Sequence, residues 1–509
     1  MSRLALGVSF LGAFAFAFTS SLGAAEPAPA PWKPFDLGVH HRAVSTKSAE
    51  AQKAFDQGLV WAFSFNHDEA ERAFAEARRL DPNLAMASWG IALVNGPHIN
   101  NPMVDEAHAK AAWEAETEAR KHLEGASEVE RALIEALGSR YAMPQPENRA
   151  PLEEAYAKAM AGVAARFPKD ADVVTLYAES LMDVRPWDQW TKEGEPQPGT
   201  KETLDALEAA LKLNPNHPGA LHLTIHALEA SPHPERAKDA ADRLRRLVPD
   251  ASHLVHMPAH IYARVGGWVE AAAANERAIE ADTRYKARAK EIGFYRIYMA
   301  HNAHFLAFTA MMEGRSAVAL ARTKDVLKGL SPDWVKENAI FGDAFITVHW
   351  ESLKRFGKWD DLLNEKPLVE GLPVSTAYLH FVRAIAHAAL GHISEAEKEQ
   401  AVFTAALGKV PKEYYWGSNA ATDVLAVAGP YLDGEIAFRK GDLDGAIGKL
   451  REAVKLEDAL KYDEPPGWTV PTRHALGAIL LEAKRYKEAE DVYREDLVRY
   501  QENGWSLLG

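Results

Sequence analysis

Apolar residues recur at intervals of three and four from about residue 51 to the end of the chain. That interval places them on one face of an α-helix. Phe55, Leu59 and Phe63 open the series in AQKAFDQGLVWAF. Each run is short, closes on a turn signal and is answered by a second run. FNHDEAERAFAEARRLDPN, VGGWVEAAAANERA and KRYKEAEDVYRED are such second runs. No stretch of any length alternates apolar and polar residues as a half-buried strand does. The pattern predicts helix–turn–helix hairpins, with a capping box at Ser127 and Glu130 marking one helix start. The expected fold is all-α, with residues 51–509 stacked as an α-solenoid. An extended segment at 26–50 precedes it, and a long inserted loop at about 184–200 interrupts it. Loops of that length in a compact array are commonly functional.

The repeat spacing is that of the 34-residue tetratricopeptide unit. Gly266, Trp268 and Ala271 fit its positions 15, 17 and 20, with Ser252 at position 1. In this frame His253, His256 and His260 fall at positions 2, 5 and 9. The preceding unit puts His222 and His226 at positions 5 and 9, and the following one puts His301 and His304 at 2 and 5. Residues so spaced share a helix face, and in tetratricopeptide arrays that face lines the concave groove. Imidazoles four apart on a helix suit one transition-metal ion. Neighbouring helices pack about 8–10 Å apart, so rings from adjacent units can converge. Seven rings exceed one tetrahedral site, which points to one or two ions. Pro258, inside HMPAH, either kinks its helix or starts it.

Other candidates are weaker. Glu179 and Asp183, four apart before the inserted loop, are candidates for a catalytic base or an extra ligand, against the alternative of a solvated helix face. His67 at position 17, Trp89 and the Arg473/His474 pair are candidates for contacts to a partner in the groove.

Composition narrows the chemistry. The chain has no Cys, so it has neither disulfides nor thiolate metal sites. An all-imidazole set suits zinc, copper, iron or manganese, without choosing among them. There is no nucleotide or flavin motif. The formal net charge is −14 and no block is strongly basic, which argues against a nucleic-acid partner. Residues 1–25 read as a signal peptide: Arg3, an apolar run from Leu4 to Phe18, then small Gly23 and Ala25. The run is too short for a membrane span. The expectation is an exported protein, periplasmic or secreted, with no span in its mature part.

Several phrases resemble a family of bacterial exported tetratricopeptide repeat proteins: FNHDEAERAF, DPNLAMASWGIAL, HPGALHLTIHALEASPHPERA, HLVHMPAHIYARVG, HNAHFL and YDEPPGWTVPTRHALGAILL. The resemblance covers nearly the whole mature chain and implies the repeat fold. It implies no reaction. GPHIN departs from the family's GPNIN-like text, which keeps His98 out of the candidate set. Two functions stay open. One is a metal-binding protein with a His-lined groove, with or without catalysis. The alternative is a scaffold that binds a peptide or protein and catalyses nothing.

Overall fold

Helix hairpins follow one another along the chain in this computed structural model, which describes residues 33–289 and 292–509. Residues Phe35–Gly509 form one compact unit. The proposed signal peptide lies outside the described residues. Several helices start where the sequence supplies a cap. Ser48 accepts from the Ala51 N–H to start Ala49–Phe63, and Asn66 accepts from the Glu69 N–H to start His67–Leu80. The Ser127–Glu130 capping box starts Glu128–Leu137.

Successive helices pair as hairpins: Pro218–Glu229 with Lys238–Leu244, Arg296–Met312 with Ser316–Gly329, Pro373–Ala389 with Ile393–Leu407, and Thr472–Glu482 with Tyr486–Arg499. Extended structure among the described residues amounts to one short antiparallel pair, Tyr415–Trp416 with Asn419–Ala420, and two isolated bridges. The fold is all-α, a tetratricopeptide-type solenoid. Residues 35–48 form neither helix nor strand, with a turn at 38–39 and bends at Ser45 and Lys47, and the first helix begins at Ala49.

In several repeats position 15 closes the first helix in the left-handed region. Gly266 does so at φ 80°, where a residue without Cβ meets no steric penalty. In the first repeat that position is Phe65, at φ 56°. A bulky residue there is strained, and it throws the ring inward.

The histidine face is not an open groove. His222, His226, His253, His256 and His260 are all buried. Two features close over them. The inserted loop bends back, so that the Trp190 indole N–H donates to the Ala227 carbonyl at 2.7 Å and Trp187 meets His226 edge-on at 5.3 Å. The C-terminal turns lie against the middle repeats: Trp268 Nε1–H donates to Gln501 O, and Trp505 Nε1–H to Met311 O, each at 2.8 Å. Asp496 pins this end by accepting from His474, Asn503 and Ser506.

Candidate metal centre

The histidine wall divides into two trios. His222 and His226 project from Pro218–Glu229 and meet His253 of the next repeat, with one ring nitrogen from each within 4.8 Å of the others. The second trio joins His256, His260 and His301. Their Nε2 atoms stand 2.7 Å (His256–His260), 3.0 Å (His256–His301) and 3.4 Å (His260–His301) apart.

Pro258 sets this division. Helix Ser252–His256 ends and Pro258–Arg264 begins at Met257, whose backbone stays helical at φ −49°, ψ −36°. Pro258 has no N–H to donate, and the His260 N–H reaches Met257 O, only three residues back. The segment is therefore a kinked helix, not two independent ones. It sends His253 to the first trio and both His256 and His260 to the second.

In four of the six rings Nδ1 is held by an oxygen. His222 Nδ1–H donates to Phe63 O at 2.7 Å, and His226 Nδ1–H to Glu229 Oε1 at 2.6 Å. His256 Nδ1–H donates to Asn275 Oδ1 at 2.6 Å, and His260 Nδ1–H to Glu229 Oε2. A neutral imidazole that donates from Nδ1 carries its lone pair on Nε2. The Nε2 atoms of His222 and His226, and both nitrogens of His253, are buried without a hydrogen-bond partner among the described residues. Ligating histidines are normally held in this way, with the far nitrogen on a carboxylate or a carbonyl.

The two trios fit an ion differently. Metal–nitrogen bonds of about 2.0–2.1 Å in a tetrahedral site put ligand nitrogens about 3.3–3.4 Å apart. The His260–His301 separation already meets this, and the His256–His260 pair opens by about half an ångström to reach it. The close approach places Glu229 next to rings that resist charge. Burial, with His226 beside it, pushes His222 well below the usual imidazole range; burial, with its neighbours His222 and His256, does the same to His253. Burial and the neighbouring rings also lower His256 and His301. For His260 burial is outweighed by the Glu229 and Glu464 carboxylates, which raise it. Glu229 itself, despite burial, is held down to about 2 by His260 and His226. Glu464 arrives from the C-terminal part of the chain, 3.1 Å from His260 Nδ1, and burial pushes it up to about 8.

Other predicted residues stand elsewhere. His304 is in neither trio. Its ring packs against Phe345, and burial lowers it to about 4. Asp183 is bound to Arg140 at 2.5 Å, on a guanidinium that Glu153 holds from the other side. Glu179 lines a cavity of about 10 Å³ with His67 and Arg140, room for about one water. Neither carboxylate belongs to a trio. The expected groove contacts are also corrected. Trp89 is buried, His67 packs on the His98 ring at 4.5 Å, Arg473 is clamped twice on Asp458, and His474 is bound to Asp496. They are spent inside the fold.

Sequence reasoning missed Glu229, Asn275 and Phe65. Glu229 had a signal, lying three residues after His226 on the same helix. Phe65 stacks on His98 at 4.3 Å and packs against His222 at 4.6 Å, so His98 lies beside the first trio, across that ring. A further cluster, His40, Asp172 and His217, has the composition of a metal site but not its chemistry. His217 Nδ1 accepts the Ala220 N–H as a helix cap, and its Nε2–H donates to Asp172 at 3.1 Å. Both nitrogens are already used.

Fold and site together define a class: a tetratricopeptide-type solenoid with two buried three-histidine clusters. No protein-family model matches the chain, and no curated protein matches it. Among solved structures, the human IFIT1 dimer with m7Gppp-AAAA is 15% identical, covering 91% of this chain and 89% of its own, at a TM-score of 0.35. The Cut9–Hcn1 hetero-tetramer of the APC/C is 13% identical, covering 90% and 74%, at 0.32. Yeast Tom70 is 11% identical, covering 91% and 88%, at 0.29. At these identities and TM-scores, what those proteins bind is not carried over. No helix among the described residues is long and apolar enough to cross a membrane.

Proposed function

We propose that this protein binds two transition-metal ions, one at His222, His226 and His253 and one at His256, His260 and His301. The observation that carries the reading is the shared orientation of the rings. Four Nδ1–H groups are committed to oxygen acceptors, which leaves Nε2 lone pairs directed at common centres in a buried environment without thiolates. Three imidazoles per ion leave a coordination position open, and an ion so held supplies Lewis acidity, or redox chemistry if it is copper or iron. Zinc, copper, iron and manganese all accept such a set. The peptide-scaffold alternative is the weaker reading, because Trp89, Arg473 and His474 are buried, and the last two are bound to Asp458 and Asp496.

The test is the metal content, by mass spectrometry, of protein purified without an affinity tag. His226→Ala and His256→Ala should each lower affinity at their own site by at least the roughly 10–100-fold that outer-shell changes cost. His392→Ala, in an exposed turn, should change nothing. A wild-type protein that carries no transition metal and takes up none on reconstitution ends this reading. The proposal includes export, with a mature chain beginning near Glu26. N-terminal sequencing of the secreted or periplasmic fraction should find that end, and Met1 retained there is the contrary result.

A further inference from the structure

Glu229 divides its two oxygens between the two trios. It is the last residue of Pro218–Glu229 and fully buried. Oε1 accepts from His226 of the first trio, and Oε2 accepts from His260 of the second. The carboxylate is planar and rigid, so aligning one oxygen fixes the direction of the other. A second link runs through the backbone. The single turn Ser252–His256 carries His253 into the first trio and His256 into the second.

Building on the metal reading, we infer that the two trios form one two-ion unit, in which Glu229 makes filling of either site strengthen the other. The first ion orders its three rings, and through Glu229 and the Ser252–His256 turn it orders part of the second set, so the second ion meets a smaller ordering cost. Repulsion between two buried cations opposes this, and the anionic carboxylate between them lowers the cost of placing either ion; the ordering carries the cooperation. The ligand class is a pair of borderline transition-metal ions, not one ion with a ring of spare histidines.

Glu229→Gln separates this from two independent sites. An amide has one acceptor oxygen and one donating nitrogen. It can accept from His226 or from His260, but not from both. The ring that faces the amide nitrogen is driven to the other tautomer, with its proton on Nε2, where it cannot ligate. The substitution keeps the size of the side chain while removing one site's geometry.

The experiment is calorimetric titration of metal-free full-length protein with Zn²⁺, repeated with Co²⁺ followed by visible absorption. The wild type should take up two equivalents with positive cooperativity. Glu229→Gln should take up one. His253→Ala, which removes a ligand of the first trio and none of the second, should weaken binding at the second by about 5–150-fold, the usual range of coupling between sites. His301→Ala should do the same to the first. Two equivalents with unchanged, independent affinities in Glu229→Gln, or no effect of His253→Ala on the second site, overturns the coupling while leaving the metal reading intact. If Glu229→Gln fails to fold, the two histidine variants decide the matter alone. No uptake of either ion by the wild type, by contrast, removes the underlying metal reading.

Discussion

Asn275 fixes the tautomer of His256. Its amide Nδ2–H donates to Ala271 O at 2.9 Å, which turns Oδ1 toward the ring and leaves His256 no choice but to donate from Nδ1. The residue is fully buried on Trp268–Lys286, a helix that carries no ligand. Asn275→Ala should therefore weaken metal binding at the second trio by about 10–100-fold, as outer-shell losses do. It should also cost about 1–3 kcal/mol of stability, because the Nδ1–H is left buried and unpaired. Titration and denaturant unfolding measure the two effects separately, and unchanged affinity contradicts the positioning role.

Each imidazole lowered by burial should cost the metal-free protein stability as the pH falls. His67 and His304 are each lowered by burial to about 4, and His222, His253, His256 and His301 are lowered in the same sense. Between about pH 6.5 and about pH 4 the unfolded chain binds protons that the folded one refuses, so stability falls as the pH drops. His260, raised above its ordinary value, acts in the opposite direction: its contribution is complete at low pH and is lost as the pH rises. The carboxylates raised by burial, Glu464 to about 8 and Glu179 and Glu457 to about 7, act in that opposite direction too. Comparing melting temperature against pH for the wild type and His304→Phe after chelation isolates one ring, and the variant should gain on the wild type as the pH falls from about 6.5 to about 4. A difference between the two that stays constant across this window is the contrary outcome.

The strained Phe65 backbone gives a third expectation. Phe65→Gly relieves about 1–2 kcal/mol of left-handed strain. It also removes a fully packed ring, worth about 3–5 kcal/mol in comparable truncations. The net change should be destabilising by roughly 2–3 kcal/mol, with the first trio loosened more than the second because the ring lies on His222 and His253. A variant more stable than the parent shows that the ring is not part of the support.

Gly219 permits the first trio to form. A Cβ there would lie 2.6 Å from the Phe63 ring. Gly219→Ala should push Pro218–Glu229 off Ala49–Phe63, at a cost of about 1–3 kcal/mol for overpacking. It should also break the bond from His222 Nδ1–H to Phe63 O, lowering affinity at the first trio. Unfolding and titration on one sample check both.

The helices and the histidine face were legible because both depend on local spacing. Positions 2, 5 and 9 of three successive units brought up six residues that the fold gathers into trios. His304 misled because position 5 predicts which face a residue shares, not what stands opposite it, and opposite it stands Phe345. The division into two trios was not legible. It depends on a kink at Met257 that HMPAH announces without giving its direction. Arg473 and His474 looked like groove residues because no local pattern shows that Asp458 and Asp496 will be waiting for them. Glu464 reaches His260 from 204 positions along the chain, beyond any spacing rule.

The bond between Trp268 and Gln501 joins residues 233 positions apart. Tandem arrays ordinarily fold as a one-dimensional chain of neighbours, each repeat needing only the next. Here the ends of a long segment must find each other, and closing such a loop carries an entropic cost that grows with the logarithm of its length. The closure raises the contact order, which slows folding. A chain emerging from synthesis therefore completes its middle repeats before the last turns arrive to close the long loop onto Trp268.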